Sequence, residues 1–264
     1  MKSPSRPRVA ETGAPVELEV ELDGLTLSGA SVAARATAFA VPQLGIALDI
    51  GRLTPRIAAQ PVVLLSHGHL DHLAGVLAYL NVRARFHGGV PPRIAAPRGV
   101  AEGLLAALAV MPGMEAVRKR LRLEDTVLGV APGDVVRVSG GIATAFAVDH
   151  GVETLGWSVR RGGEPRPCLV YSGDSTVAPF AADPGLLDAA VAVAECTFVG
   201  KNRRIAARLA RHAHVLDWVE LAPALRCDRL VLVHLPPLPA AELAQLTAPL
   251  AAALPGELIL WSAP

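Results

Sequence analysis

The segment that decides the fold is Ser66-His67-Gly68-His69-Leu70-Asp71-His72, in which three histidines and one aspartate fall within six residues. It directly follows the aliphatic run 62–65, which is typical of a buried strand, and precedes 73–80, whose apolar spacing predicts a helix. Imidazole and carboxylate groups are good ligands for zinc and similar divalent ions. A tight turn after the strand can direct the first two histidines to one side and the aspartate and last histidine to the other. The segment therefore predicts a site for two adjacent metal ions.

The alternative interpretation of this segment is a cluster of surface histidines that binds no metal. The whole chain has 8 histidines, and three of them lie in this one segment, directly after a predicted strand. That concentration favours the metal site over the surface cluster.

The composition of the 264-residue chain is that of a globular protein. Hydrophobic residues make up 52% and charged residues 19%, which supplies a packed interior and differs from the composition of disordered chains. A formal net charge of +1 excludes a protein that holds nucleic acid by bulk charge alone. No uninterrupted apolar stretch reaches the roughly 18 residues that a membrane-spanning helix requires, so we expect no association with a membrane.

The two ends of the chain and its cysteines indicate the domain organisation and the compartment. Residues 1–15 begin with MKSPSRPRV, which lacks the apolar core of a secretory signal and predicts a frayed tail. Residues 16–264 predict a single domain, since no clear linker interrupts them. The three cysteines are far apart and form no C-x-x-C pair, which excludes a disulfide scaffold and predicts a reducing, cytoplasmic location.

Short β-rich runs and helical stretches alternate along both halves of the chain. Residues 16–22, 31–40 and 45–50 predict strands in the first half, and 135–172 contains four further short strands. A helical stretch from about 204 to 221 follows in the second half. Strand clusters that alternate with helices predict an α/β fold in which two sheets carry helices on their outer faces.

The H-x-H-x-D-H string resembles the signature of the metallo-β-lactamase superfamily, and this resemblance implies a four-layer αββα sandwich. Three further residues resemble the remaining metal ligands of that family: His150 in DHGVETLGW, Asp174 in YSGDS and His234 in LVLVHLP. A lone histidine at a strand end is ordinarily structural, but the order, spacing and strand-end placement of these three match the family. The resemblance implies that one ion is held by His67, His69 and His150, that a second is held by Asp71, His72 and His234, and that Asp174 bridges them.

Longer strings resemble one branch of the superfamily, tRNase Z, the endonuclease that removes tRNA 3′ trailers. They are SHGHLDHLAG, DHGVETLGW, YSGDS, AECTF and RHAHVLDWVELA, and the short plant and cyanobacterial forms of the enzyme are the most similar. The resemblance implies a phosphodiesterase with two divalent metal ions that activate a hydroxide. Zinc is the favoured metal, with manganese and iron as alternatives.

Two residues outside the ligand set resemble the groups that act on the leaving oxygen in that branch. Glu195 lies in the E-C-T-F string, and His214 follows about twenty residues later. The resemblance implies that His214, oriented by Glu195, donates a proton, while Asp71 orients the attacking water. From the residues alone, Glu195 would be a buried or capping carboxylate and His214 a histidine on a helix surface. Asp49, in ALDIG, either holds a histidine ring or caps a turn.

The chain departs from the tRNase Z pattern in two places. Asp174 follows His150 by only 24 positions, which leaves no room for the long arm that grips tRNA in the family. The family commonly has Ser-Ser-Arg-Tyr after the last histidine, whereas this chain has residues 235–238, LPPL. A phosphate-facing arginine is therefore missing there. Two basic clusters, 118–122 and the helically spaced cations between 201 and 211, either contact phosphates or form solvated helix faces.

The substrate and partners predicted from the resemblance are a phosphodiester, with precursor tRNA as the leading candidate, and a second copy of the chain in a homodimer. The alternative function is a small-molecule hydrolase of the same fold that acts like glyoxalase II, a lactonase or a small phosphodiesterase. The missing arm and an aromatic content of 4% favour this alternative. A metal-binding but inactive partner subunit is a third hypothesis, which the apparently full ligand set disfavours.

Overall fold

The computed structural model describes residues 17–87 and 91–262, and the predicted tail at 1–15 lies outside these ranges. The first half of the described chain builds a seven-stranded sheet whose spatial order follows the sequence. Its strands are β1 (Leu18–Leu22), β2 (Leu25–Val32), β3 (Ala36–Val41), β4 (Ile46–Leu48), β5 (Val62–Leu64), β6 (Arg93–Pro97) and β7 (Val127–Val130). Neighbours from β1 to β4 pair antiparallel, and those from β4 to β7 pair parallel.

The second half builds a second seven-stranded sheet with the same plan. Its strands are β8 (Val135–Val138), β9 (Gly141–Ala147), β10 (Leu155–Arg161), β11 (Leu169–Tyr171), β12 (Val191–Glu195), β13 (Arg229–Val233) and β14 (Glu257–Leu260). Pairing is antiparallel from β8 to β11 and parallel from β11 to β14. The carboxyl ends of parallel strands lie at one edge of a sheet, which is where open α/β sheets place their ligand sites.

Helices cover the outer face of each sheet. They are α1 (Pro55–Ala59), α2 (Leu70–Leu73), α3 (Val76–Phe86), α4 (Arg98–Val110), α5 (Glu115–Leu121), α6 (Leu123–Thr126), α7 (Ala178–Ala182), α8 (Arg204–Ala210), α9 (Val215–Leu221) and α10 (Ala240–Ala253). None of them is both long and apolar enough to cross a bilayer.

The layers follow from the two-residue period of the strands. In β3, Phe39 and Val41 face the core shared by the two sheets, where they join Trp157 of β10. Ala38 and Ala40, the alternate residues of β3, face the helices on the first sheet. A separate core lies between the second sheet and its helices. The order helix, sheet, sheet, helix confirms the predicted αββα sandwich.

Two predicted elements are each divided in the structure. The predicted strand at 31–40 is a hairpin of β2 and β3, and the chain turns at Ala34, whose φ is 60°. The predicted helix at 204–221 consists of α8 and α9, separated at Arg211, whose φ is 55°. Both breaks use a non-glycine residue in the left-handed region, which side-chain periodicity does not signal.

Candidate metal centre

Seven predicted metal ligands come from loops at the carboxyl ends of strands. The loop after β5 and the short helix α2 supply four of them, which are His67, His69, Asp71 and His72. His150 lies after β9, Asp174 after β11 and His234 directly after β13. The structure brings all seven side chains together, and we call them the candidate metal centre.

The seven side chains form two groups, and a third group joins Asp174 and His234 to His212. One ligand atom from each of His67, His69, His150 and Asp174 lies within 4.8 Å of the others, and the same holds for Asp71, His72 and His234. These are the two sets that the sequence predicts, and Asp174 belongs to the first by distance.

Asp174 also reaches the second group. Its Oδ1 lies 3.4 Å from Nε2 of His72, and its Oδ2 lies 3.5 Å from Nε2 of His234. The same Oδ2 lies 3.8 Å from Nε2 of His67 in the first group. This buried carboxylate therefore stands between the two groups, where a bridging ligand would lie.

Hydrogen bonds at Nδ1 turn the Nε2 atoms of two histidines into the centre. His72 Nδ1 lies 2.7 Å from Oδ2 of Asp49, and a carboxylate can only accept. His67 Nδ1 lies 2.9 Å from Oγ of Ser66, whose own proton goes to Asp49, so the hydroxyl accepts here. Each ring therefore donates from Nδ1 and directs its Nε2 inward, as metal-binding histidines do.

The histidines supplied by the second sheet are oriented in the same way. His150 Nδ1 lies 3.0 Å from the backbone oxygen of Arg211. His234 Nδ1 lies 2.8 Å from Oγ1 of Thr197, and that hydroxyl donates its proton to Glu195. Again Nε2 is left to face the centre.

Asp49 holds Ser66 and His72 in place by hydrogen bonds. Its fully buried carboxylate accepts hydrogen bonds from the backbone N–H of Ser66 at 2.6 Å, from Ser66 Oγ at 2.7 Å, from His72 Nδ1 at 2.7 Å and from Tyr171 Oη at 2.5 Å. Burial and the adjacent Asp49 hold the pKa of Tyr171 well above its usual value, so the phenol remains a donor. Of the two roles predicted for Asp49, the structure supports that of holding a histidine ring, and it adds a link to the second sheet through Tyr171.

The donor set fits divalent metal ions. His72 Nε2 and Asp174 Oδ1 are buried and have no hydrogen-bond partner among the described residues, although buried polar atoms are normally satisfied. Burial, together with the neighbouring imidazoles, lowers the pKa of His67 to about 2, so this ring is neutral and offers a lone pair. A cation at each group would satisfy these atoms with the nitrogen and oxygen ligands that zinc accepts.

Charge at the second group favours a cation as well. Burial alone would lower the pKa of His72, but the carboxylates of Asp174 and Asp49 outweigh it and hold that pKa well above its usual value. Burial would raise the pKa of Asp71, yet the imidazoles of His234 and His72 bring it down to about 2. Asp71 is therefore a carboxylate near neutral pH, and the group attracts positive charge.

Glu195 is buried beside the centre and orients His212, a histidine that is not among the predicted site residues. Its Oε1 lies 3.0 Å from Nδ1 of His212 and accepts the backbone N–H of Ala213 at 2.9 Å. The ring of His212 stacks on that of His234, with centroids 5.5 Å apart. Burial lowers the pKa of His212, but Glu195 outweighs it, and the net direction is upward.

His214 does not reach the centre. It is fully buried at the amino end of α9, where its Nδ1 accepts the N–H of Leu216 at 3.1 Å. Its Nε2 lies 2.8 Å from the carbonyl of Gly200 and donates to it. Both ring nitrogens are used, so the position expected for His214 is held by His212, two residues earlier. The string RHAH holds both histidines, and the turn at Arg211 decides which one faces inward.

The αββα sandwich, together with the candidate metal centre, identifies the class of the protein as a metal-dependent hydrolase. Residues 49–235 match the model of the Beta-lactamase superfamily domain, and the chain belongs to that family. It is 25% identical over 248 residues to the chloroplastic tRNase Z TRZ2 of Arabidopsis thaliana, covering 81% of this chain and 68% of that protein.

Solved structures show the same fold. The metallo-beta-lactamase fold protein YhfI from Bacillus subtilis matches with a TM-score of 0.63 and 16% identity, over 87% of this chain and 92% of that one. The short form of human tRNase Z matches with a TM-score of 0.58 and 17% identity, over 87% of this chain and 93% of that one.

Proposed function

We propose that this chain is a tRNase Z-like phosphodiesterase that binds two divalent metal ions, zinc being favoured, and cleaves the 3′ trailer from precursor tRNA. The observation that carries the proposal is the pairing of Glu195 with His212 beside seven converged ligands. A hydrolase of this fold needs the ligands for any substrate, whereas an oriented proton donor serves a poor leaving group such as a ribose oxygen. The similarity to tRNase Z relatives supports the same choice.

Each side chain has a distinct role in this proposal. The two ions, when bound, would supply Lewis-acid charge and lower the pKa of a water. Asp71 would accept a hydrogen bond from the attacking water and fix its direction of attack. His212 keeps its Nδ1 on Glu195 and donates from Nε2 to the departing oxygen. Asp49 and Thr197 hold the rings of His72 and His234 in place.

Two features favour the second candidate, a small-molecule hydrolase of the same fold. Residues 162–168 join β10 directly to β11, so no arm leaves the sandwich between His150 and Asp174. All three tryptophans are buried in the cores and offer no surface for base stacking. This candidate has the same proposed metal ligands, and only its substrate differs: a small molecule instead of precursor tRNA.

We further propose a cytoplasmic protein that acts as a homodimer. The three cysteines, Cys168, Cys196 and Cys227, are free thiols, as is usual in a reducing compartment. The dimer follows from the resemblance to tRNase Z, and sedimentation of the purified chain tests it.

The deciding experiment is cleavage of a 3′-extended precursor tRNA with the product end mapped. Bis-p-nitrophenyl phosphate and a thioester are assayed in parallel, and Asp71→Asn serves as the control for contaminating nuclease. We expect a single cut after the discriminator region and turnover of the phosphodiester. Turnover of the thioester alone would favour the small-molecule candidate, and no turnover of any substrate would favour the inactive-subunit hypothesis.

A further inference from the structure

Arg211 occupies a backbone position that normally suits glycine. It ends α8 with φ 55° and ψ 49°, and its N–H bonds to the last carbonyls of that helix. A side chain in the left-handed region is strained, and such strain gathers at functional sites. Here the conformation turns the carbonyl of Arg211 toward His150 and places His212 next to the centre.

The guanidinium of Arg211 is held beside His150 of the candidate metal centre. Its Nη1 donates to the backbone oxygen of His150 at 3.1 Å and lies 3.4 Å from Oδ1 of Asp149. The other oxygen of Asp149 accepts the hydroxyl of Thr176 at 2.8 Å, so the carboxylate that holds Arg211 is itself held. Both the backbone and the side chain of Arg211 therefore contact His150, one of the proposed metal ligands.

The same guanidinium keeps unused donors. All of its contacts with the described residues run through Nη1, and the side chain is 57% exposed. An arginine has five N–H donors in a planar fork that matches phosphate oxygens. Nε and Nη2 of Arg211 are therefore available to an anion.

Neighbouring cations on α8 lack this combination of fixed position and free donors. Arg204 donates hydrogen bonds from Nε to Asp217 and from both terminal nitrogens to Glu220. Arg208 is 66% exposed, and its Nη2 lies 3.8 Å from Oδ1 of Asp217, a longer separation than the ion pair of Arg211 with Asp149. Arg211 alone among these three is anchored at a metal-ligand segment.

We propose that Arg211 binds a second anionic group of the substrate, the phosphate next to the scissile phosphodiester in an oligonucleotide. This inference rests on the proposed function and specifies its substrate as a chain with adjacent phosphates. It also gives the centre an arginine, from the residue that follows α8, which the LPPL segment after His234 does not provide. Contacts to flanking phosphates set the register of a nucleic acid on a protein.

The test compares Arg211→Gly with Arg208→Ala, a matched loss of one exposed cation from the same helix. Glycine keeps the turn and the carbonyl that orients His150, so only the guanidinium is removed. We expect Arg211→Gly to lower kcat/KM for a 3′-extended RNA about tenfold relative to its kcat/KM for bis-p-nitrophenyl phosphate, which has no adjacent phosphate. We expect Arg208→Ala to change that ratio less than twofold.

Binding provides a readout that does not depend on catalysis. A fluorescein-labelled 2′-O-methyl oligoribonucleotide is titrated by anisotropy at several salt concentrations, with metal content measured on each sample. Arg211→Gly should weaken binding about tenfold and reduce the slope of log K against log salt by about 0.7, the value for one phosphate contact on a single strand. Arg211→Lys should restore part of the affinity.

Three results would overturn the role of Arg211. They are equal losses on both substrates, loss of metal in Arg211→Gly, and an oligonucleotide affinity that Arg211→Gly and Arg208→Ala lower equally. The first two would make Arg211 a structural support for His150. If the unaltered protein hydrolyses no phosphodiester, the proposed function fails, and the anisotropy comparison still decides whether Arg211 binds phosphate.

Discussion

Nδ1 of His212 lies 3.0 Å from Oε1 of Glu195, and this bond directs the opposite edge of the imidazole toward the candidate metal centre. Oε1 also accepts backbone N–H groups, and Oε2 accepts the N–H and hydroxyl of Thr197. A carboxylate that accepts so many hydrogen bonds is fixed in place. Burial lowers the pKa of His212, but the hydrogen bond to Glu195 and its charge outweigh burial and raise it. The pair has the geometry of a general acid and its orienting group.

We expect His212→Ala to retain its metal and to lose phosphodiesterase activity by about 10²–10⁴-fold, since that is the usual contribution of general acid catalysis. The loss should be greatest for a ribose leaving group and smaller for p-nitrophenolate, which needs little protonation. Steady-state rates on both substrates, with elemental analysis of the same preparation, check this. Loss of metal from His212→Ala would make His212 a ligand instead.

His214 is the matched control. His214→Asn keeps a side-chain acceptor for the N–H of Leu216 and should leave the rate within a few-fold of the unaltered protein. His214→Ala removes that cap and the bond to Gly200, and we expect it to lower the free energy of unfolding by about 1–2 kcal/mol. Thermal denaturation and activity of the two variants check the separation, and a rate loss in His214→Asn as large as in His212→Ala would refute it.

The difference of two residues between the predicted His214 and His212, which faces the centre in the structure, has a physical cause. The stretch 204–221 has helical spacing throughout, and periodicity reports which side chains face a core but not where the backbone leaves the helix. The break occurs at Arg211, which takes a conformation usually reserved for glycine. The hairpin within 31–40 was hidden for the same reason, since Ala34 turns the chain without a glycine or proline.

Metal content is the most direct test of the site. We expect about two equivalents of transition metal per chain, because His72 Nε2 and Asp174 Oδ1 are buried and find no hydrogen-bond partner within the described part of the chain. Removal with a chelator should lower Tm by roughly 5–10 °C, as loss of a ligand bound at a hundred times its Kd costs about 2.7 kcal/mol. A well-folded chain that contains no metal, and whose Tm does not respond to added zinc, would contradict the assignment.

Tyr171 offers a test of how the centre is supported. Tyr171→Phe removes one of the donors to Asp49 and should weaken metal affinity about tenfold, which is typical for a group behind a ligand. Tyr79→Phe is the control, because Tyr79 donates to the carbonyl of Gln60 at 2.7 Å in the helix-covered core of the first sheet. Both variants should lose about 1 kcal/mol of stability. In competition with a chromogenic chelator, only Tyr171→Phe should release metal more readily.

Gly173 tests the close approach of the two sheets. Its φ is 59°, and a Cβ there would lie 2.6 Å from Cβ of Ser66. Gly163 has φ 85° with nothing within 4 Å of an added Cβ, so it isolates the backbone cost. We expect Gly163→Ala to cost about 1 kcal/mol and Gly173→Ala about 3 kcal/mol, since overlap adds to strain. Urea denaturation measures both, and equal losses would show that Ser66 moves aside freely.

The seven proposed metal ligands could be selected from the sequence because their order, spacing and strand-end placement resemble those of the metallo-β-lactamase superfamily. Strands can be located by short aliphatic runs, and the carboxyl ends of parallel strands converge whatever their separation along the chain. Asp174 and His234 reach the Ser66–His72 segment in this way, whereas His150 follows β9, which pairs antiparallel with both of its neighbours. The supporting contacts were less accessible, because the bonds of Tyr171 and Thr197 depend on which face of each strand packs against the other sheet.

The loop after β5 and the short helix α2 provide four of the seven proposed ligands, and the remaining three arrive only with the second sheet. A nascent chain that has emerged as far as β7 thus holds an incomplete coordination sphere for either ion. Hydrolytic competence would then appear only when synthesis has passed β13 and the halves have docked. Unfinished chains on the ribosome, surrounded by RNA, would remain inert.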